Sequence, residues 1–340
     1  MKKSMIIISL LIIAILISSC REIDVKTIVN NDGSFTRIIT ITGDSSEVYK
    51  KGLPYPIDES WEMNFSKDTI NKDKFILTYT KLFSSSDELN SEISHDSSWR
   101  QKLKRNISID DSFGFFYSYL TYNETIKAAN PFKIIDYRDY LNETDMLWLT
   151  GEKIAVTSAD SANIQEAEDK ADNYLQKSIT GEIIALLKEG IKYLDNPIIK
   201  TDLVDYYADS ISNKVNDGDM DSASEFIDYF AAITQKKEIE RIKETQKSQL
   251  EELDKKIELL FEIFGMEEYS VTVEMPGLLT NTNSPSIKGN QIHWKVSTMS
   301  FLFKDFQMVA ESRIVNNYMF VIAGFLLLLV VLLAAIKLWK

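Results

Sequence analysis

Apolar and polar residues alternate with period two soon after residue 20. Ile23, Val25, Thr27 and Val29 share one face, Asn31-Asp32-Gly33-Ser34 supplies a turn, and Phe35, Arg37, Ile39 and Ile41 share a face of the return. This pattern predicts a β-hairpin. Residues 74–82 are rich in β-formers, and residues 86–93 read as a short helix. A second hairpin is expected from residues 103–109 and 113–122, turning at Asp110-Asp111-Ser112. Its aromatics (Phe113, Phe115, Phe116, Tyr117, Tyr119, Tyr122) are expected in the core and on the sheet surface.

From about Asp136 to Phe264 the period becomes helical. Ile164, Ala167, Ala171 and Leu175 fall on one face, as do Ile183, Leu186 or Leu187, Ile191 and Leu194. Asn196-Pro197 ends that second helix, because a residue before proline avoids the α region. A third helix is expected over 201–215. A long one then starts at Ser222, which forms a capping-box pattern with Glu225. Unbroken to Phe264 it would extend roughly 65 Å. Its stretch 235–252 is highly charged, so it either projects into solvent or hides a break.

From Tyr269 the alternation returns, over 269–274, 291–296 and 303–314. The expected fold class is therefore α+β. One sheet would be built from both ends of the exported domain, with a large helical insertion between them. The expected boundaries are 20–135 for the N-terminal β half, 136–265 for the insertion and 266–317 for the closing strands. Residues 21 and 318 should then lie toward one side.

Both chain ends are apolar. Residues 5–17 form a run shorter than the roughly 20 residues a span needs. Lys2 and Lys3 precede it and Ile17-Ser18-Ser19-Cys20 follows. These four residues resemble the bacterial lipobox, which implies removal of 1–19 and a diacylglyceryl, acylated cysteine at Cys20. Cys20 is the single cysteine, so no disulfide forms within the chain. At the other end, 318–336 carries no charge and covers roughly 27 Å over its apolar core Met319–Ile336. Tyr318 and Trp339 mark its edges. Lys337 begins the tail 337–340 and, with Lys340, favours a cytoplasmic C-terminus. The expected location is the inner (cell) membrane, with the body periplasmic or extracellular.

The body between the ends holds all 51 acidic residues against 34 basic ones, a net charge of −17. An acidic surface repels nucleic acid and anionic headgroups at long range. Nucleic acid is therefore not an expected partner.

One segment carries a likeness. Val273-Glu274-Met275-Pro276-Gly277, Asn283 and Gly289-Asn290-Gln291-Ile292-His293-Trp294 precede a strand and an immediate apolar helix. Together with the early cysteine and hairpin, this resembles LppM-type bacterial membrane-anchored lipoproteins. The likeness covers roughly 20–41 and 269–336. It implies a small membrane-associated β-rich domain in contact with envelope lipids, and it supplies no catalytic residue. Pro276-Gly277 and Gly289-Asn290 suit tight turns, and Trp294 should pack in the core.

Catalytic patterns are missing from the sequence. His95 and His293 stand far apart, outside any metal-ligand spacing. Asp217, Asp219 and Asp221 imitate the start of a calcium loop, but Ser222 and Asp228 occupy the places that need Gly and Glu. No metal, cofactor or enzymatic activity is expected. The leading expectation is a tethered interaction or envelope-assembly module whose helical insertion engages a protein partner. The alternatives are lipid or glycolipid handling at the membrane surface and, last, an envelope hydrolase, which would need a cleft of converging acids.

Overall fold

The computed structural model describes residues 21–50, 52–96, 102–194, 198–218 and 222–339; Cys20 and the residues before it lie outside this set. The chain mixes helices with two sheets and divides into two units. One comprises Arg21–Lys127, Glu268–Val296 and Asp305–Lys340. The other includes Ala128–Glu267 and Ser297–Lys304. The sequence pattern placed the first break at 135/136 and kept 297–304 with the strands.

The first unit is a sandwich of two sheets. Its strands are β1 (Glu22–Val29), β2 (Phe35–Gly43), β3 (Glu62–Lys67), β4 (Phe75–Phe83), β5 (Arg105–Phe113), β6 (Tyr117–Ile126), β7 (Tyr269–Glu274), β8 (Leu278–Thr282), β9 (Ser286–Lys288), β10 (Gln291–Val296) and β11 (Phe306–Val315). Helix α1 (Ser86–His95) links β4 to β5. Seven strands run in the order β3-β4-β2-β1-β7-β10-β9, and four in the order β5-β6-β11-β8.

Alternation decides what each sheet buries. Ile23, Val25, Val29, Phe35, Ile39, Ile41, Val271, Val273, Ile292 and Trp294 line the inner face of the larger sheet. Ile107, Leu120, Tyr122, Ile126, Phe306, Met308 and Ala310 line that of the smaller one.

The two chain ends do share a sheet where β1 pairs in parallel with β7. The single-sheet expectation fails for β11, which pairs instead with β6. These two strands are both ten residues long and match along their whole length, Phe306 opposite Ile126 and Val315 opposite Tyr117. The second hairpin also turns later than its sequence suggests. Asp110, Asp111 and Ser112 stay in β5, and the turn falls at Gly114-Phe115-Phe116, closed by the Gly114 amide donating to the Tyr117 carbonyl at 2.8 Å. Phe113, Phe115 and Phe116 are consequently exposed, not in the core.

The strand directions separate the chain ends. β7 runs parallel to β1 and ends at Glu274, and Gly277 just beyond it abuts the Arg313 carbonyl near the end of β11. The start of β1 therefore lies level with the start of β11, and the terminal helix Asn317–Leu338 leaves from the opposite end. Nine steps along β11 at about 3.3 Å put roughly 30 Å between the two ends. This corrects the expectation that residues 21 and 318 lie toward one side. Lys127, Glu268, Val296 and Asp305, where the chain leaves or re-enters the sandwich, all lie at the Arg21 end.

Gly277 has φ +72°, and an added Cβ there meets the Arg313 backbone. Gly289 has φ +66° but open space around it. Gly277→Ala should therefore destabilise by about 2–3 kcal/mol and Gly289→Ala by only about 1 kcal/mol. Denaturant midpoints of the two variants in detergent check this; equal losses would mean that the close approach to Arg313 carries no cost.

The second unit is helical: α2 (Glu143–Leu149), α3 (Ser158–Lys192), α4 (Asp202–Tyr206), α5 (Ala208–Asp217), α6 (Ala223–Thr234), α7 (Ile242–Thr245), α8 (Lys247–Phe264) and α9 (Thr298–Leu302). Its core includes Tyr174, Leu187, Ile211, Phe230, Ile242, Leu253 and Phe303. The first two predicted helices are one, α3, with Thr157 and Asp160 forming a capping box at its start. The third is two, α4 and α5. The long helix is broken after Thr234, where Gln235 takes φ 57°, a left-handed cap. Burial of Ile239 and Ile242 explains the break, because the chain folds back to seat them in the core. Ser222 starts α6 without the side-chain bond of a capping box; the carboxylate of Asp254 accepts from the Ala223 amide instead, at 2.6 Å.

Candidate functional site

Two places in the sandwich unit concentrate unusual chemistry. The first is where β11 becomes the terminal helix. Residues Asn317–Lys337 form a helix long and apolar enough to cross a membrane. Its side chains, including Phe325, Leu328, Val331 and Leu333, are exposed all around, unlike those of a core helix. Tyr318 and Trp339 stand exposed near its two ends, and Met319, Ile336 and Lys337 lie in the positions read from the sequence.

Asn316 joins helix and sandwich. Its amide donates to the Phe116 carbonyl at 2.9 Å and its Nδ2 to the Gly114 carbonyl at 2.8 Å, while its Oδ1 accepts from Ser118 Oγ at 3.1 Å. The Phe116 ring lies 4.6 Å from Phe320 in the first turns of the helix, and Phe115 lies 4.8 Å from Phe116.

The second place lies between the sheets. Glu124 of β6, Arg37 of β2 and Arg105 of β5 occupy inward positions and are closed to solvent. Arg37 Nη2 lies 3.1 Å from Glu124 Oε2, and Arg105 Nε lies 3.5 Å from Oε1. The Tyr122 and Tyr55 hydroxyls both donate to the Glu124 carboxylate. Arg105 also donates to the Pro54 carbonyl at 3.0 Å and to the Tyr269 hydroxyl at 2.5 Å.

The Tyr55 ring takes both guanidiniums, 4.3 Å from the Arg37 carbon and 4.4 Å from that of Arg105. Burial alone would raise the Glu124 pKa, but the two guanidiniums and the tyrosine hydroxyls hold it below the usual carboxylate range. Burial pushes the Tyr55, Tyr122 and Tyr269 phenols up, so all three stay neutral, Tyr55 and Tyr122 donating to Glu124 and Tyr269 accepting from Arg105. The arrangement pins one sheet to the other by charge-assisted bonds. With its members buried, it offers no face to a substrate.

A signal for this cluster was present in the sequence. Arg37 is the one charged residue on its face of the first hairpin, and Glu124 sits in the alternating series Leu120, Tyr122, Glu124, Ile126. Opposite charges on two apolar faces point to each other.

The family-like residues act in turns and packing. Met275 is buried, Pro276-Gly277 carries the chain from β7 to β8, and Gly289-Asn290 turns between β9 and β10. Asn290 donates to the Met275 carbonyl at 2.9 Å. Trp294 is buried, and its Nε1 donates to Asn283 at 3.2 Å. His293 lies 2.9 Å from the Thr272 hydroxyl, its pKa lowered by burial and by Lys288. His95 lies on α1, with its Nδ1 against the Ser91 carbonyl. Asp219 and Asp221 lie outside the described residues; among those described, no group of three or more His, Cys, Asp or Glu is placed to hold a metal. Cys20 also lies outside them.

Comparison of the chain with protein-family models, curated proteins and solved structures finds no match.

Proposed function

We propose that this chain is a membrane-tethered, non-enzymatic module that presents its helical unit to a protein partner in the bacterial envelope. The observation that carries this reading is the apolar, fully exposed helix continuing directly from β11. The helical unit exposes Tyr193, Ile198 and Tyr206 around the end of α3 and α4, large side chains of the kind that anchor protein interfaces. In this reading the membrane is an inner or plasma membrane and the C-terminus is cytoplasmic, supported by the position of Lys337 and Lys340 after the apolar run.

The reading includes a lipid on Cys20, at a position that adds a constraint. Arg21 is already packed, donating to the Lys50 carbonyl at 2.7 Å, so the lipid would stand directly on the folded body. One bilayer holds both attachments only when the strands lie along its surface, because their two ends are separated by roughly 30 Å.

A second reading, lipid or glycolipid handling, is favoured by an aromatic ledge at the β3 edge. There Tyr49 stacks on Phe65 and Phe65 on Phe75, with Met63 exposed beside them. The likeness to LppM-type lipoproteins supports the same reading.

The Cys20→Ser protein should stay in the membrane fraction through high salt and alkaline carbonate. Deleting 317–340 as well should release it. Retention of the doubly altered protein would mean that a third attachment holds it. An unmodified Cys20 in the mature protein, read by mass, would remove the lipid from this reading. Crosslinking in native membranes should recover a protein joined to the Tyr193–Tyr206 region; recovery of lipid alone at the Tyr49–Phe65 ledge would favour the second reading.

A further inference from the structure

We infer that the Phe113–Phe116 turn is a membrane-inserting tip that seats the sandwich on the same bilayer its terminal helix enters. Phe113, Phe115 and Phe116 stand exposed at the turn of the β5–β6 hairpin, with Val315 exposed at the end of β11. Leu278 is exposed on β8, beside Arg313 of β11 at this same end. Large apolar groups gathered at one end of an acidic body mark a contact surface. The occupant follows from continuity with the helix. Asn316 ties the helix start to the tip by two hydrogen bonds and to Ser118 of β6 by a third, and Phe116 packs on Phe320. Wherever the helix enters the bilayer, the tip is held at the entry level, at any tilt of the sandwich.

Aromatic rings favour that headgroup region. The flanking Asp110 and Asp111 are exposed and acidic, so the attraction comes from apolar burial and needs no anionic lipid. This inference rests on reading Asn317–Lys337 as a membrane span, and the test separates the two.

Full-length protein carrying Cys20→Ser would be labelled with a nitroxide at Phe115→Cys, Lys104→Cys or Leu328→Cys and reconstituted in phosphatidylcholine vesicles. Lys104 is exposed near the other end of the strands, and Leu328 is mid-helix. Collision with oxygen, which concentrates in the acyl region, is compared with collision with a water-soluble nickel chelate. The oxygen-to-nickel ratio at 115 should be shifted from the aqueous value at 104 toward the value at 328. A ratio at 115 equal to that at 104, with 328 in the acyl region, overturns the inference and leaves the span intact. An aqueous ratio at 328 overturns the span, and the tip with it.

Discussion

Replacing Glu124 by glutamine should cost the sandwich about 3–5 kcal/mol, the range seen when one partner of a buried ion pair is removed. Glutamine nearly preserves the shape. What it removes is the one carboxylate facing Arg37 and Arg105, whose side chains are buried. Two guanidiniums would then share a dry interior with neutral tyrosines and the Tyr55 ring.

The effect has a pH signature. The folded-state pKa of Glu124 lies below its ordinary value, so its contribution is complete above the unfolded-state pKa. It is lost as pH falls through the lower, folded-state value. The wild type should therefore lose stability on acidification through this group, and Glu124→Gln should lack that component. In a cycle with Arg37→Met, the double variant should be less destabilised than the sum of the singles, because the second change removes a charge the first left unpaired. Denaturant unfolding in detergent at neutral and acid pH measures all of this. A loss under about 1 kcal/mol for Glu124→Gln would mean that the pair is solvated and does not pin the sheets.

Asp172→Asn should act in the opposite direction. Asp172 lies on α3, half-buried, and its pKa is raised to about 6 by burial first and by the nearby Asp169 second. Between about pH 4 and 6 the folded state holds a proton that the unfolded state has released. Stability therefore falls as pH rises through that window and stays low above it. Asparagine keeps the size and discards the charge. The variant should be more stable at pH 8 by on the order of 2 kcal/mol, after allowing for partial exposure, with the gain gone by pH 4. Thermal unfolding followed by helical circular dichroism reads the difference. Equal stability at pH 8 would show that solvent reaches the carboxylate freely.

Much of the local structure was legible in the chain. The hairpin β1–β2, strands β4, β7 and β10 and helix α1 follow from period and turn residues. The short edge strands β3, β8 and β9 were not read. β3 is exposed along all six residues, so alternation left no mark on it. The turn of the second hairpin was misplaced because Asp110-Asp111-Ser112 is good turn chemistry by itself. The register of β5 against β6 carries those residues through as strand and moves the aromatics to the tip. Of the candidate site, the helix and its flanking aromatics could be read directly. Arg37 and Glu124 each left a mark on an apolar face, but the tip and the pairing of the buried charges required knowing which strands meet.

The sequence by itself determined the terminal helix, the acidic body and the switch from β to helix and back. Each of these depends only on neighbouring residues: an all-round apolar run, a charge count, a period. Tertiary structure alone decided that β11 leaves the larger sheet for β6, and that the long helix folds back at Gln235 to seat Ile239 and Ile242. It alone placed Arg21 and Asn316 at opposite ends of the strands. It also made Arg37, Arg105 and Glu124 tolerable in a core. These outcomes depend on partners distant along the chain, since a buried charge is admissible only when another strand brings its counter-ion, and strand direction exists only once strands have paired.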